Sequence, residues 1–75
     1  MPKRSRIDLS GVVSPICLLQ CKRALGERNR GDTLEILLRD PEVVDDLVKI
    51  INHSPDQLIS KDRKEECYRI VVRKG

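Results

Sequence analysis

The stretch "TLEILLRDPEVVDDLVKII", Thr33 to Ile51, joins a strand pattern to a helix pattern through an Asp-Pro pair. Apolar residues first alternate with other residues over 34–38, the period of two that is typical of a strand with one buried face. Asp40 before Pro41 predicts where a helix begins, because aspartate accepts a free backbone N–H and proline has none to leave unpaired. The helix pattern then places four apolar residues on one face: Val44, Leu47, Val48 and Ile51.

The same arrangement occurs upstream. Ile7 and Leu9 alternate with polar residues and predict a short strand that stops at Gly11, after a flexible tail over residues 1–5. The Ser14-Pro15 pair predicts a second helix start, with a helix running from Pro15 to about Glu27. Its predicted buried stripe contains three residues: Leu18, Cys21 and Leu25.

The chain after the second helix predicts two further strands. The helix is expected to end over residues 52–55, followed by a short strand over 57–61 and a charged turn over 62–66. The last strand places Tyr68, Ile70 and Val72 on the core side. The order is therefore βαβαββ in one domain over residues 1–75. It predicts an α+β two-layer sandwich, a four-stranded mixed sheet with two helices on one face.

Composition limits the classes of function. The 75 residues include 36% charged and 39% hydrophobic ones, with a net charge of +3, typical of a small globular domain with an aliphatic core. Because the first residues lack an apolar signal region and no long apolar run follows, we expect no membrane association. Three cysteines without an export signal favour reduced thiols in the cytoplasm. One tyrosine and no other aromatic residue argue against direct recognition of nucleic acid bases.

The cysteines differ in their predicted surroundings. Cys17 lies in the first turn of the first helix, where the helix dipole favours a thiolate, at the edge of the buried stripe. Cys21 lies within that stripe and is expected to be core, whereas Cys67 is expected on the open face of the sheet. His53 is expected to cap the second helix. Zinc binding by these four residues is disfavoured by their spacing, so neither metal nor cofactor is predicted.

The opening residues and the order of elements together resemble the SirA/TusA-like sulfurtransferase family. Members carry a Cys-Pro-x-Pro motif that opens the first helix, where this chain reads Ser14-Pro15-Ile16-Cys17. The resemblance continues through "GDTLEILLRDP" and through "YRIVVRKG" near the end of the chain. It therefore spans nearly the whole chain and implies the same βαβαββ sandwich.

The resemblance also implies a chemistry that the motif of this chain alters. Family members are sulfur carriers whose cysteine accepts a persulfide sulfur from a cysteine desulfurase and passes it to a partner, often toward transfer RNA thiolation. Ser14 stands at the position of that cysteine, and Cys17 stands at the position of the second proline. A hydroxyl cannot hold sulfur as an S–S bond or exchange it as a thiolate. Ser14 is therefore interpreted as a helix cap.

Two functions remain open at this point. In the first, Cys17 acts as the catalytic carrier, with Ser14 and Pro15 fixing its turn and with Lys22 and Arg23 docking an acidic partner. In the second, the domain is a non-catalytic binding or regulatory module that kept the fold. Either function implies transient protein partners such as a cysteine desulfurase or a sulfur acceptor, with only indirect contact to transfer RNA.

Overall fold

A computed structural model describes residues 3–13 and 15–75. The elements follow the predicted order βαβαββ, which is confirmed. They are β1 (Arg4–Asp8), α1 (Ile16–Gly26), β2 (Thr33–Leu38), α2 (Pro41–Asn52), β3 (Gln57–Lys64) and β4 (Cys67–Arg73). No helix in the described ranges is long and apolar enough to cross a membrane.

The four strands form one mixed sheet in the order β1-β2-β4-β3. β1 pairs with β2 in parallel, while β4 pairs with β2 and β3 in antiparallel fashion. β3 therefore runs parallel to β2, and β4 fills the place between them. Two strand–helix–strand crossovers of this kind put both helices on one face, as the predicted two-layer sandwich requires.

The core lies between the helices and that face of the sheet. Side chains of both helices and of β2 and β4 form one buried cluster together with Leu9. The burial of β2 alternates as predicted, and its three core residues are fully buried: Leu34, Ile36 and Leu38. In α2 the buried set is Val43, Val44, Leu47 and Ile51. Val43 replaces the predicted Val48, which is half-buried, because periodicity alone does not set how far a helix is rotated about its axis.

The predicted start of the first strand, and part of the predicted tail, are wrong. β1 begins at Arg4, inside the predicted tail, and ends at Asp8, before the predicted Leu9. The reason is backbone pairing: the Lys3 N–H donates to the Asp32 carboxylate at 2.9 Å, and the Thr33 N–H donates to the Lys3 carbonyl oxygen at 2.8 Å. These bonds hold the start of β1 against β2 without needing apolar side chains.

β3 is longer than predicted and reaches Lys64 instead of Lys61. Its charged residues 62–64 continue to pair with β4, and only Glu65 and Glu66 form the turn. Glu65 has a φ of 58°, in the left-handed region that tight hairpin turns use. Charged side chains are compatible with this strand because it lies at an edge of the sheet, exposed to water.

The Asp-Pro start of α2 is confirmed in atomic detail. Asp40 is the N-cap, and its carboxylate accepts a hydrogen bond from the Glu42 backbone N–H at 2.9 Å, with Pro41 in the first turn. This bond satisfies one of the backbone donors that a helix start leaves unpaired. The helix ends at His53, whose backbone N–H donates to the carbonyl oxygens of Lys49 and Ile50.

Replacing Asp40 by alanine removes this cap. We expect Asp40→Ala to lower the free energy of unfolding by about 1 kcal/mol, measured by chemical denaturation. Asp45→Ala is the matched control, because Asp45 is exposed within the same helix, and its effect should stay within about 0.5 kcal/mol. Equal effects of the two substitutions would contradict the capping role.

Candidate functional site

The chain between β1 and α1 forms a hydrogen-bonded turn that sets where α1 begins. Asp8 accepts hydrogen bonds from the Ser10 hydroxyl at 2.6 Å and from the Ser10 N–H at 3.0 Å, and these bonds lower the pKa of the Asp8 carboxyl. Leu9 is buried, and its carbonyl oxygen accepts from the Val12 N–H at 3.1 Å. The turn therefore anchors the residues just before the altered motif to the core.

The start of α1 differs by one residue from the prediction. The helix begins at Ile16, so Pro15 occupies the N-cap position and not the first helical position. The hydrogen-bond pattern of the helix already includes Val13, since the Cys17 backbone N–H donates to the Val13 carbonyl oxygen at 3.0 Å. Ser14 lies outside the described residues, so its capping role stays a prediction.

The predicted edge position of Cys17 is wrong, because this thiol is part of the core. Its side chain is 2% exposed, and its Sγ donates to the Leu9 carbonyl oxygen at 3.8 Å. Burial raises the pKa of the Cys17 thiol, opposite to the lowering that the helix dipole alone predicts. The cause is the rotation of α1: its buried residues are Cys17, Cys21 and Leu25, while Leu18 is half-buried.

Cys21 lies where the sequence predicts it, in the buried stripe. Its side chain is 0% exposed, and burial beside Cys17 raises its pKa to about 12. A thiol with such a pKa is neutral at physiological pH, and a neutral thiol is a poor nucleophile. Cys21 is therefore a packing residue.

The third cysteine and the histidine lie away from this pair. Cys67 is half-buried at the start of β4, and the register places it on the open face of the sheet with Arg69 and Val71. His53 is exposed at the end of α2. Across the described ranges, no group of three His, Cys, Asp or Glu side chains is placed to hold a metal ion.

Three large apolar side chains are exposed around the altered motif. Val13 is 71% exposed, Ile16 is 51% exposed and Leu19 is 60% exposed. We call these residues, together with the exposed Pro15, the α1 apolar patch. This patch was not predicted from the sequence. The spacing of three residues between positions 13, 16 and 19, which lie outside the buried stripe through Cys21, could have indicated it. Apolar side chains clustered in this way on a small domain mark an interaction surface.

Two exposed cations follow the patch along α1. Lys22 and Arg23 lie three and four residues after Leu19, so all three lie on neighbouring positions of the helix surface. Arg23 pairs with Glu27 at 3.2 Å, an exposed i,i+4 ion pair that contributes little to stability. The two residues predicted to dock a partner are thus available beside the apolar patch.

Comparison with known proteins agrees with this fold. The chain matches the model of the family described as Sulfurtransferase TusA over residues 5–74. It is 25% identical over 69 residues to a candidate sulfur carrier protein of Methanocaldococcus jannaschii, a match that covers 92% of each chain. The chain therefore belongs to the TusA/SirA-like sulfur carrier family, whose role in sulfur relay implies transient protein partners.

Two solved structures share the fold. The crystal structure of a SirA-like protein from Desulfitobacterium hafniense has a TM-score of 0.81 at 23% identity, covering 95% of this chain and 97% of that one. The solution structure of HP1264 from Helicobacter pylori has a TM-score of 0.71 at 19% identity, covering 92% and 95%. Both confirm the arrangement of two helices on a four-stranded sheet.

The different burial of the cysteines predicts different reactivities. With a disulfide reagent such as Ellman's reagent, we expect Cys67 to react fast in the native protein, and Cys17 and Cys21 to react only at the rate of local or global opening. Cys67→Ser should remove the fast phase completely. A second fast thiol that disappears in Cys17→Ser would contradict the burial of Cys17.

The raised pKa of Cys21 also predicts a loss of stability in alkali. In the unfolded chain this thiol ionises near its ordinary value of 9.0, whereas in the fold it stays neutral until about 12. The stabilisation is therefore complete below the unfolded pKa and is lost as pH rises between the two values. From about pH 8 to pH 10, wild type should lose about 1.4 kcal/mol more unfolding free energy than Cys21→Ala. Parallel pH profiles of the two proteins would contradict the assignment.

Proposed function

We propose that this domain binds protein partners of sulfur relay through the α1 apolar patch and does not itself carry sulfur on α1. The proposal rests on which side chains are exposed at the altered motif. Both thiols of α1 are buried, while the apolar side chains on either side of position 14 are exposed. The surface thus keeps the features of a docking site, and the nucleophile of the family is replaced.

Thiol chemistry supports the second half of the proposal. Persulfide transfer begins with attack by a thiolate, so the accepting sulfur must be both ionised and accessible. Cys17 and Cys21 are almost fully buried, and burial raises the pKa of each. A bond from the Cys17 backbone N–H to the Val13 carbonyl oxygen closes the turn around this thiol. This turn would have to open before Cys17 could accept sulfur. Ser14 has no sulfur to exchange.

Surface chemistry supports the first half. Protein interfaces combine an apolar centre with a polar rim. The patch supplies Val13, Ile16 and Leu19 as such a centre, and Lys22 and Arg23 supply a cationic rim. A partner with an apolar contact bordered by acidic side chains is complementary to this surface. We place this activity in the reducing cytoplasm, where the three free thiols persist.

Restoring the missing thiol tests both halves at once. Wild type and Ser14→Cys, each carrying Cys67→Ser to remove the accessible thiol, are incubated with a cysteine desulfurase and cysteine and analysed by intact mass and peptide mapping. We expect Ser14→Cys to gain one sulfur atom on the peptide that contains position 14 and wild type to gain none, because only the variant has a thiol at the position of the family cysteine.

Two further variants separate docking from chemistry. Ile16→Ser with Leu19→Ser, in the Ser14→Cys protein, should reduce loading while circular dichroism stays native, since both side chains are exposed. A folded Ser14→Cys protein that takes up no sulfur would overturn the docking role. Sulfur found on Cys17 of wild type, and lost in Cys17→Ser, would instead establish Cys17 as the carrier.

A further inference from the structure

We propose that the face of the sheet turned away from the helices binds the phosphate backbone of single-stranded RNA through Arg4, Arg6 and Arg73. We call these three residues the arginine corner. The proposal concerns a surface that the α1 apolar patch does not include, and it stands independently of the proposed docking function.

The strand register brings the three arginines together. Arg4 pairs with Thr33, and Thr33 pairs with Arg73, so the three residues form one row across β1, β2 and β4. Strands lie about 4.8 Å apart, so Arg4 and Arg73 are separated by about 10 Å. Arg6 follows Arg4 on the same face, about 6.6 Å further along β1. Three exposed arginines therefore share one corner of the face.

None of these arginines forms an ion pair with a carboxylate among the described residues. Among the described residues, no Asp or Glu oxygen lies within 4.0 Å of the cationic nitrogens of Arg4, Arg6 or Arg73. Arg69, further along the same face, shows the contrast: it pairs with Glu35 and with Asp62, each at 3.4 Å. Arg4 and Arg73 therefore carry the most available charge, whereas Arg6 has the Asp8 carboxylate nearby on β1 and Glu35 opposite it on β2.

The arginine corner and α2 differ in charge. The exposed side of α2, on the opposite layer, carries Glu42, Asp45 and Asp46 against Lys49. The acidic groups of α2 therefore lie on the layer away from the arginine corner, while the cations of that layer, Lys22 and Arg23, lie on α1. Such an arrangement orients an approaching polyanion toward the sheet.

A nucleic acid fits this surface better than a protein does. The face offers little exposed apolar area, because Val71 at its centre is 6% exposed and Leu37 is half-buried. A protein interface without an apolar centre is disfavoured, whereas binding to a phosphate backbone is carried by charge. Arginine is suited to phosphate because its planar fork donates two parallel hydrogen bonds.

The shape of the face and its hydroxyl groups favour a single RNA strand. A flat sheet face presents no helix or ribbon that could enter the major groove of a duplex. Thr33 and Ser60 place hydroxyl groups on the same face, next to Arg73 and Val71 in the register, where they can pair with 2′-hydroxyls. The single tyrosine, Tyr68, packs on the core side, so the face cannot stack bases and reads no sequence.

The test uses the whole chain and a labelled oligouridylate of about 20 nucleotides, longer than the roughly 4–16 that a small domain covers. Fluorescence anisotropy is measured from about 50 to 200 mM salt. The triple variant Arg4→Gln, Arg6→Gln, Arg73→Gln should weaken binding and reduce the slope of log K against log salt by about 2, since each lost contact to a single strand contributes about 0.7.

A triple variant on the two helices is the matched control. Lys22→Gln, Arg23→Gln and Lys49→Gln remove the same charge from exposed helix positions outside the face and should leave the slope unchanged. Equal losses in both triples would show a delocalised charge effect and would overturn the proposal. Circular dichroism confirms that each variant is folded.

Two competing ligands test the choice of RNA. Oligodeoxyuridylate of the same length should bind about 3–10-fold more weakly, the value of one lost hydrogen bond. Poly-glutamate of equal charge should compete poorly, because carboxylates in a flexible chain lack the phosphate arrangement. DNA that binds as tightly as RNA, or poly-glutamate that binds as tightly as either, would overturn the assignment.

Discussion

The packing of α1 against the sheet determines the chemical character of the whole motif region. The stripe through Cys17, Cys21 and Leu25 is the surface by which this helix joins the core. Burying Cys17 against Leu9 removes the thiol from water, and the same rotation turns Ile16 and Leu19 outward. The loss of an accessible thiol and the gain of an exposed apolar patch are therefore two consequences of one packing arrangement.

The fold was predictable because its signals are local and repeated. The alternation in β2, the Asp40-Pro41 helix start and the apolar face of α2 each depend on near neighbours in sequence. The start of β1 and the length of β3 were not predictable in this way. Both depend on backbone pairing with a distant strand, which charged side chains permit at the edges of a sheet.

The sequence predicted which residues form the candidate site but not which of them are buried. The sequence places Cys17 in the first helical turn, where the helix dipole should lower its pKa. Burial raises the pKa of this thiol instead, because the turn through Leu9 and Val12 covers this side of the helix. The rotation of a helix about its axis depends on the assembled core. A helical wheel drawn from the helix alone therefore does not predict which side chains face the sheet.

The two proposed surfaces differ in chemistry because they lie on different layers and at opposite ends of β1. The α1 apolar patch follows the carboxyl end of this strand, whereas Arg4 lies at its amino end on the open face. An apolar patch is complementary to a folded protein, and unpaired arginines are complementary to a polyanion. The two surfaces share no residue, so a substitution in one leaves the other chemically unchanged. On the two proposals together, the domain would hold a protein partner and an RNA strand side by side, a role that needs no thiol.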